Sequence, residues 1–285
     1  MADRSFLDWP FFEDRHRELA GRLEPWCSAN LPVPHADVDV ACRGLVASLG
    51  DGGWLMPTAV DPAAPEPLDV RTLCLARETL ARHDGLADFA FAMQGLGAGA
   101  ITLFGSLEQQ VWLHKTREGR AISAFALLEP RSGSDVASLD MTARRHGDGY
   151  VLSGEKTWIS NGGIADFYVV FARTGETPGA KGISAFLVPV PTPGLTVAER
   201  LEVIAPHPLA RLAFDDLHLP ASALIGKPGD GFRIAMSVLD VLRTTVGAAA
   251  LGFARRARGE CEAGIEPRAV RRPHGSSADG AGAHR

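Results

Sequence analysis

The sequence predicts a multidomain α+β protein, with an N-terminal all-helical domain, a middle antiparallel β-domain of barrel or sandwich type, and the start of a C-terminal helical bundle. Three observations predict this class. Apolar residues recur at helical spacing as far as Arg117, short strand-like segments begin at Ala121, and helical spacing returns at Gly231. Strands do not alternate with helices in the middle region, which argues against a parallel α/β sheet. The predicted domains cover residues 1–120, 121–228 and 229–257.

The first domain divides into several helical segments. Residues 38–49 are amphipathic, and Asp51-Gly52-Gly53 then supplies a helix stop. Residues 87–104 are almost wholly apolar, which predicts a buried pair of helices, whereas the Pro- and Ala-rich residues 61–67 predict a loop. The other predicted helices cover residues 12–26, 70–83 and 108–117, the last of them short and exposed.

The middle domain is predicted to contain about five to seven short strands. Gly147-Asp148-Gly149 is typical of a hairpin turn, with a strand following it. The spacing of the strands and the turns between them favours an antiparallel sandwich or barrel. The predicted strands cover residues 121–128, 150–158, 167–173, 182–189 and 212–219.

The last part of the chain changes character. Apolar residues keep helical spacing from Phe232 to about Ala257, which predicts the first helix of an incomplete C-terminal domain. Residues 259–285 hold only Ile265 and Val270 as branched aliphatics, too little apolar surface to offset the entropy of ordering, so we predict disorder from 258 to 285. The abrupt change suggests a frameshift or early stop that leaves an aberrant tail, a hypothesis that sequencing of the DNA decides.

Composition excludes several function classes. A net charge of -5 argues against nucleic-acid or acidic-membrane partners, which require a basic face. None of the four cysteines forms a C-x-x-C pair, so neither a zinc site nor a disulfide framework is indicated, and a reducing cytoplasm is expected. The first ten residues lack a signal-peptide apolar run. No uninterrupted apolar stretch reaches ~18 residues, which predicts no membrane span.

Two segments carry the functional signal: residues 127–135 (LLEPRSGSD) and 154–163 (GEKTWISNGG). Each joins an apolar strand to a turn rich in Gly, Ser or Asn, a combination that suits a flat aromatic cofactor with a charged tail. Main-chain amides can pair with the ring edge, small residues let a pyrophosphate approach, and Trp158 can cover a ring face for ~0.5–1.5 kcal/mol beyond its burial. The structural alternative is that Trp158 belongs to a core and the Ser-Gly-Ser-Asp turn is only a turn.

The order and spacing of these segments resemble the acyl-CoA dehydrogenase family, which uses FAD, over residues 6–257. The resemblance implies a flavin clasped between the first two domains and completed by a C-terminal four-helix bundle. Ser134, Asp240 and Arg243 would contact the acyl-CoA, although Asp240 and Arg243 also fit an ordinary helix-surface ion pair. The implied cofactor-binding residues are Phe125, Ala126, Leu127, Leu128, Ser134, Trp158, Ile159 and Ser160.

The sequence also departs from the family pattern. Many members have Thr or Ser where Leu128 stands, so a hydroxyl bond to the flavin is lost while the main-chain amide remains. The family base is a Glu, usually late in the bundle and in a minority of members at the place of Leu242, which cannot abstract a proton. The resemblance therefore implies no catalytic residue here, and impaired or absent dehydrogenation by this chain alone.

Partners and alternatives follow from the same resemblance. It implies an acyl-CoA substrate, an electron-transfer flavoprotein or similar acceptor, and the homo-oligomeric state common in intact members. Two other functions stay open: a related flavin oxidase acting on a non-CoA substrate, and a non-catalytic flavin- or acyl-CoA-binding fragment. Gly95-Leu96-Gly97-Ala98-Gly99 predicts close helix packing rather than a dinucleotide loop, because no strand precedes it.

Overall fold

The computed structural model describes residues 4–175 and 177–264, and it begins with a helical domain. Aspartates begin three of the helices, because the side chains of Asp37, Asp69 and Asp84 accept hydrogen bonds from otherwise unpaired main-chain N–H groups. The helices are α1 (Asp14–Asn30), α2 (Val38–Asp51), α3 (Val70–His83), α4 (Gly85–Phe104) and α5 (Val111–Arg117). Short 3₁₀ turns lie at Ser5–Asp8, Met56–Thr58, Val136–Ser138, Gly179–Gly182 and Ala221–Ala223.

The predicted pair of helices at residues 87–104 is wrong, because α4 is one continuous helix. Its glycines allow close packing instead of a break. A Cβ atom on Gly97 would lie 2.6 Å from the main-chain nitrogen of Ala124, and one on Gly99 would lie 2.7 Å from a methyl carbon of Val238. The glycine-rich run therefore brings α4 against the middle domain on one side and the last helix on the other.

The middle domain is an eight-stranded sheet, and the predicted α+β class is confirmed. The strand order is β6-β7-β3-β2-β4-β5-β8, with β1 paired to β4. Pairing is antiparallel except for β1 with β4 and a single bridge from β2 to β4, which are parallel. The strands are β1 (Ser123–Ala126), β2 (Thr142–His146), β3 (Gly149–Ser160), β4 (Phe167–Arg173), β5 (Ile183–Pro189), β6 (Leu195–Arg200), β7 (Leu209–Leu219) and β8 (Leu224–Ile225).

Three strands were missed by the sequence prediction: β2, β6 and β8. Strand β6 has no buried residue and β2 buries only Ala143, so neither shows the alternation that marks a half-buried strand. Strand β8 has only two residues. The predicted hairpin is confirmed, because His146 pairs with Gly149 across Gly147, whose φ of 60° suits glycine.

The last described element is helix α6, which spans Gly231–Gly264. The predicted end near Ala257 and the predicted disorder of residues 258–264 are therefore wrong. Arg256 stabilises this final part without an apolar face: its Nε lies 2.9 Å from Glu260 Oε1 and its Nη1 donates to the His83 carbonyl at 2.6 Å. The predicted disorder of residues 265–285 lies outside the described residues.

Two helices meet the length and composition expected of a membrane span, Gly85–Phe104 and Gly231–Cys261. The apolar window of the first is 72% buried inside the protein, as expected of a core helix, whereas that of the second is 33% buried. The sequence-based expectation of no membrane span therefore stays a prediction.

Candidate functional site

A cavity of about 500 Å³ lies where the two domains and helix α6 meet, and we call it the flavin cavity after the cofactor that the resemblance implies. Helix α4 contributes Met93 and Leu96, and the chain leaving β1 contributes apolar side chains and the turn that follows. Strand β3 contributes Trp158, Ile159 and Ser160. Helix α6 closes one side with Phe232, Met236 and Leu239.

The structure brings together seven of the eight predicted cofactor-binding residues. The cavity is lined by Phe125, Leu127, Leu128, Ser134, Trp158, Ile159 and Ser160. Ala126 is the exception: it is fully buried in the core and does not line the cavity. Successive side chains of a strand point to opposite faces, so Ala126 turns away where Phe125 and Leu127 turn in. Its side chain therefore does not line the cavity, and its role in cofactor binding stays a prediction.

Trp158 is not a core residue, although most strand tryptophans are. Its side chain is 55% exposed, and its φ of 56° is rare for a bulky residue. The cause is a bulge, because Lys156 pairs with Leu212 and Ile159 pairs with Ala210, leaving Thr157 and Trp158 opposite one residue. The sheet thus holds an indole in the cavity at a conformational cost, as is common at binding sites.

A hydrogen bond connects the two predicted segments directly. The Thr157 N–H donates to the Leu128 carbonyl over 3.0 Å, just where β3 bulges. The first positions of the two segments are 27 residues apart in sequence, yet the segments share a wall of one cavity. The bulge and the chain after β1 therefore fix each other.

A buried ion pair lies behind this wall. Lys156 is fully buried, and its Nζ lies 2.8 Å from Glu129 Oε1 and 3.0 Å from the Leu127 carbonyl oxygen. Burial lowers the pKa of Lys156 to about 8, and the attraction of Glu129 offsets part of that effect. Both residues lie inside the predicted segments but were not singled out. Lys156 continues the every-second-residue series of Tyr150 and Leu152, which predicts an inward face of the strand, and this was the signal that could have found it.

A second cavity of about 200 Å³ lies beside the first, and we call it the acyl cavity after the substrate that the resemblance implies. Met93, Leu96 and Leu239 line both cavities. Leu242 lines the acyl cavity, so the position that the family resemblance assigns to a catalytic Glu in some members does face it. Arg77 is another wall residue, and its guanidinium makes a bidentate pair with Asp88 at 2.8 and 2.7 Å.

The predicted substrate residues are only partly at these cavities. Ser134 lines the flavin cavity and Arg243 lines the acyl cavity, but Asp240 lines neither. Arg243 Nη2 lies 3.1 Å from Asp240 Oδ1, and the side chains are 58% and 70% exposed. This contact is the helix-surface ion pair that the sequence analysis gave as the alternative to acyl-CoA binding by these two residues.

Among the lining residues of the two cavities, Asp135 is the one carboxylate. It is exposed, and its Oδ2 accepts a hydrogen bond from Ser138 Oγ over 2.6 Å. Within residues 4–175 and 177–264, no group of His, Cys, Asp and Glu has the arrangement of a metal site. The site is thus mostly apolar and aromatic, with main-chain and hydroxyl groups at one end.

Comparisons of the sequence and of the fold with known proteins all point to one family. Residues 124–217 match the model described as acyl-CoA dehydrogenase, middle domain. The mitochondrial short-chain specific acyl-CoA dehydrogenase of Homo sapiens is 40% identical over 218 residues, which cover 74% of this chain and 52% of that protein. The chain thus spans about half the length of that curated relative.

Solved structures extend the likeness to the fold. Glutaryl-CoA dehydrogenase from Mycobacterium smegmatis is similar with a TM-score of 0.78 and 30% identity, over 92% of this chain and 68% of that one. Butyryl-CoA dehydrogenase from Megasphaera elsdenii is similar with a TM-score of 0.78 and 27% identity, over 96% and 73%. The enzymes of this family are FAD-dependent flavoproteins.

Proposed function

The chain belongs to the acyl-CoA dehydrogenase family, and from that premise we propose that its flavin cavity binds FAD and its acyl cavity receives the chain of an acyl-CoA thioester. With a catalytic base present, this pair of sites would serve α,β-dehydrogenation of the thioester. The observation that carries the proposal is the exposed indole of Trp158, held by a bulge in the same cavity as Leu127, Leu128 and Ser134.

The residues present fit a flavin. The cavity volume of about 500 Å³ lies in the range of ligand pockets. Trp158 offers a flat face, the chain at Leu127 and Leu128 offers main-chain groups, and Ser134 and Ser160 offer hydroxyls. Gly133 leaves open space, since a Cβ atom there would meet nothing within 4 Å, so a phosphate group could approach its main chain.

Bound FAD would supply a hydride acceptor, and this chain's residues would hold the reacting groups and exclude water. Met93, Leu96 and Leu239 form the shared apolar boundary of the two cavities, which would place an acyl chain next to the flavin. A dehydrogenase also needs a base to take the α-proton. Leu242 occupies the candidate position in the acyl cavity and has no titratable group.

We therefore propose that this chain by itself binds flavin and acyl-CoA better than it catalyses their reaction. The second candidate function is a non-catalytic binding fragment, and Leu242 favours it because leucine cannot act as a base. No feature of the two cavities favours a flavin oxidase instead.

The proposal extends to electron transfer: an electron-transfer flavoprotein or similar acceptor would reoxidise the flavin of an active enzyme. A solved structure described as the electron transferring flavoprotein of Acidaminococcus fermentans is similar with a TM-score of 0.80 and 32% identity, over 87% of this chain and 67% of that one. We also propose that the protein forms a homo-oligomer and lies in the cytoplasm.

Titration of the purified chain with FAD tests the binding proposal. We expect saturable quenching of flavin fluorescence, and we expect Trp158→Leu to weaken binding about threefold to tenfold, because the ring loses its flat neighbour. The matched control is Trp9→Leu, which removes a tryptophan that is 63% exposed and lies outside both cavities. Equal affinity of the two variants, or no binding by the unaltered chain, contradicts the proposal.

Addition of acyl-CoA thioesters to the FAD-loaded chain tests catalysis. We expect the melting temperature to rise with thioester while the visible flavin band persists under anaerobic conditions. Rapid bleaching of that band would show that a base reaches the substrate, and would refute the binding-fragment proposal. If the thioester caused neither a thermal shift nor bleaching, the result would contradict the proposal that the acyl cavity receives an acyl chain.

A further inference from the structure

Lys156 is a charged amine placed where water cannot reach it. Its side chain is fully buried on β3, behind the wall of the flavin cavity. Burying a charge is costly unless it is paired and hydrogen-bonded. Its Nζ satisfies this requirement through Glu129 Oε1 at 2.8 Å and the Leu127 carbonyl oxygen at 3.0 Å. The ammonium therefore connects the two cavity segments from behind.

Glu129 fixes the position of this ammonium. The Glu129 side chain is 4% exposed. Its Oε2 accepts from the Asp140 N–H at 2.6 Å, and its Oε1 accepts from the Met141 N–H at 3.1 Å. With two main-chain donors and Lys156, the carboxylate is held from three sides. The charge on Lys156 is consequently kept against the Leu127 carbonyl.

The Leu127 carbonyl and the Leu128 N–H are the two ends of one peptide unit. In a planar trans peptide these groups point in opposite directions, so the Leu128 N–H points away from Lys156. Leu127 and Leu128 both line the flavin cavity. In the part of the chain that the structure describes, the Leu128 N–H has no hydrogen-bond acceptor. A buried or half-buried N–H without an acceptor requires a partner from elsewhere.

We propose that Lys156 is a positioning residue which, through the Leu127–Leu128 peptide, strengthens the hydrogen bond that the Leu128 N–H donates to the ring of a bound flavin. A cation at the carbonyl oxygen draws electron density along the peptide and makes its N–H a better donor. Chains of hydrogen bonds strengthen one another by roughly 10–30% per bond. The inference rests on the proposed function, since it takes the cavity's ligand to be a flavin.

The test compares FAD affinity and flavin reduction potential in three forms of the chain. Lys156→Met/Glu129→Gln removes both charges, and the single Gln oxygen can still accept from one of the two N–H groups that Glu129 binds, that of Asp140 or that of Met141. We expect its dissociation constant for FAD to rise about fivefold and its reduction potential to fall, because a weaker donor stabilises the electron-rich reduced ring less. The control is Arg117→Met/Asp61→Asn, which removes a 2.8 Å ion pair outside both cavities and should leave both quantities unchanged.

A second measurement uses the unaltered chain, in case the double variant does not fold. FAD affinity is measured from about pH 6.5 to about pH 9, below the range where most lysines titrate. With the pKa of Lys156 at about 8, we expect affinity to weaken as pH rises through that value. Glu129 is the charged group facing Lys156, while the nearby Arg211 and Glu155 pair with each other at 3.6 Å. A flat pH profile overturns the proposal.

The outcomes separate the two proposals. An unaltered chain that binds no FAD overturns the proposed function and the inference with it. If the unaltered chain binds FAD, but the Lys156→Met/Glu129→Gln variant keeps the same affinity and potential, only the inference falls. A loss of affinity without any change in potential also overturns it, because it would show that the pair acts on the shape of the wall alone.

Discussion

The two walls of the flavin cavity are built very differently. On the β-domain side, a bulge, a main-chain hydrogen bond and a buried ion pair fix Trp158 and the chain at Leu128. On the α6 side, the wall is one helix, and three apolar residues nearer its C-terminal end, Val246, Leu251 and Phe253, are 58%, 56% and 47% exposed. The comparison teaches that the β-domain wall is fixed by its own contacts, whereas the α6 wall depends on how that helix is covered; under the proposed function, the first would recognise the flavin.

The largest expected effect comes from breaking the pair behind the β-domain wall. Lys156→Met leaves the Glu129 carboxylate buried and unpaired, so we expect a loss of about 3–5 kcal/mol in the free energy of unfolding. Urea unfolding of the unaltered and variant chains measures it. The double variant Lys156→Met/Glu129→Gln should recover most of the loss. If the single variant lost less free energy of unfolding than the double variant, the stability of this wall would not depend on charge pairing.

The contact between α4 and β1 tests how firmly the β-domain wall is held, in comparison with the α6 wall. In Gly97→Ala, the added methyl group would meet the Ala124 nitrogen at 2.6 Å, so we expect a loss of about 1–3 kcal/mol. Gly21→Ala in α1 is the control, because a Cβ atom there meets nothing within 4 Å and alanine favours the helix. Thermal unfolding should show a lower melting temperature for the first and an equal or higher one for the second. A tolerated Gly97→Ala would mean that α4 can shift away from the sheet.

The pH dependence of stability tests the ion pair in another way. The native pKa of Lys156, about 8, lies below its ordinary value of 10.5. Between these values the unfolded chain binds the proton and the native chain does not, so this group makes stability rise with pH across that window. We expect the stability difference between the unaltered chain and Lys156→Met/Glu129→Gln to increase from about pH 8 to about pH 10. A constant difference would show that Lys156 titrates normally.

The smallest effect on stability is expected on the α6 side. Arg243→Ala removes one partner of an exposed pair at i, i+3, so the free energy of unfolding should change by no more than about 0.5 kcal/mol. Acyl-CoA affinity, measured by calorimetry, should fall if Arg243 contacts the thioester as the resemblance implies. Asp240→Ala is the matched control, because Asp240 lines neither cavity. Equal effects of the two variants on affinity would favour a purely structural pair.

Much of the fold followed from local patterns. Helix α3 and strand β4 were predicted at their observed bounds, because strong apolar periodicity and clear flanking signals define them. The exposed strand β6 was missed because it buries nothing, and α6 runs past its predicted end because ion pairs extend it without an apolar face. Local patterns report burial, so elements that bury little leave little trace in them.

By itself, the sequence determined which segments carry the site and which family they indicate, because strand ends, small turn residues and a tryptophan are local chemical facts. Only the tertiary structure decided that Ala126 turns away, that Trp158 is exposed, and that Lys156 reaches the Leu127 carbonyl. The physical reason is that a bulge shifts the facing of every later side chain on its strand. Burial of a lysine, likewise, depends on residues brought to it from distant parts of the chain.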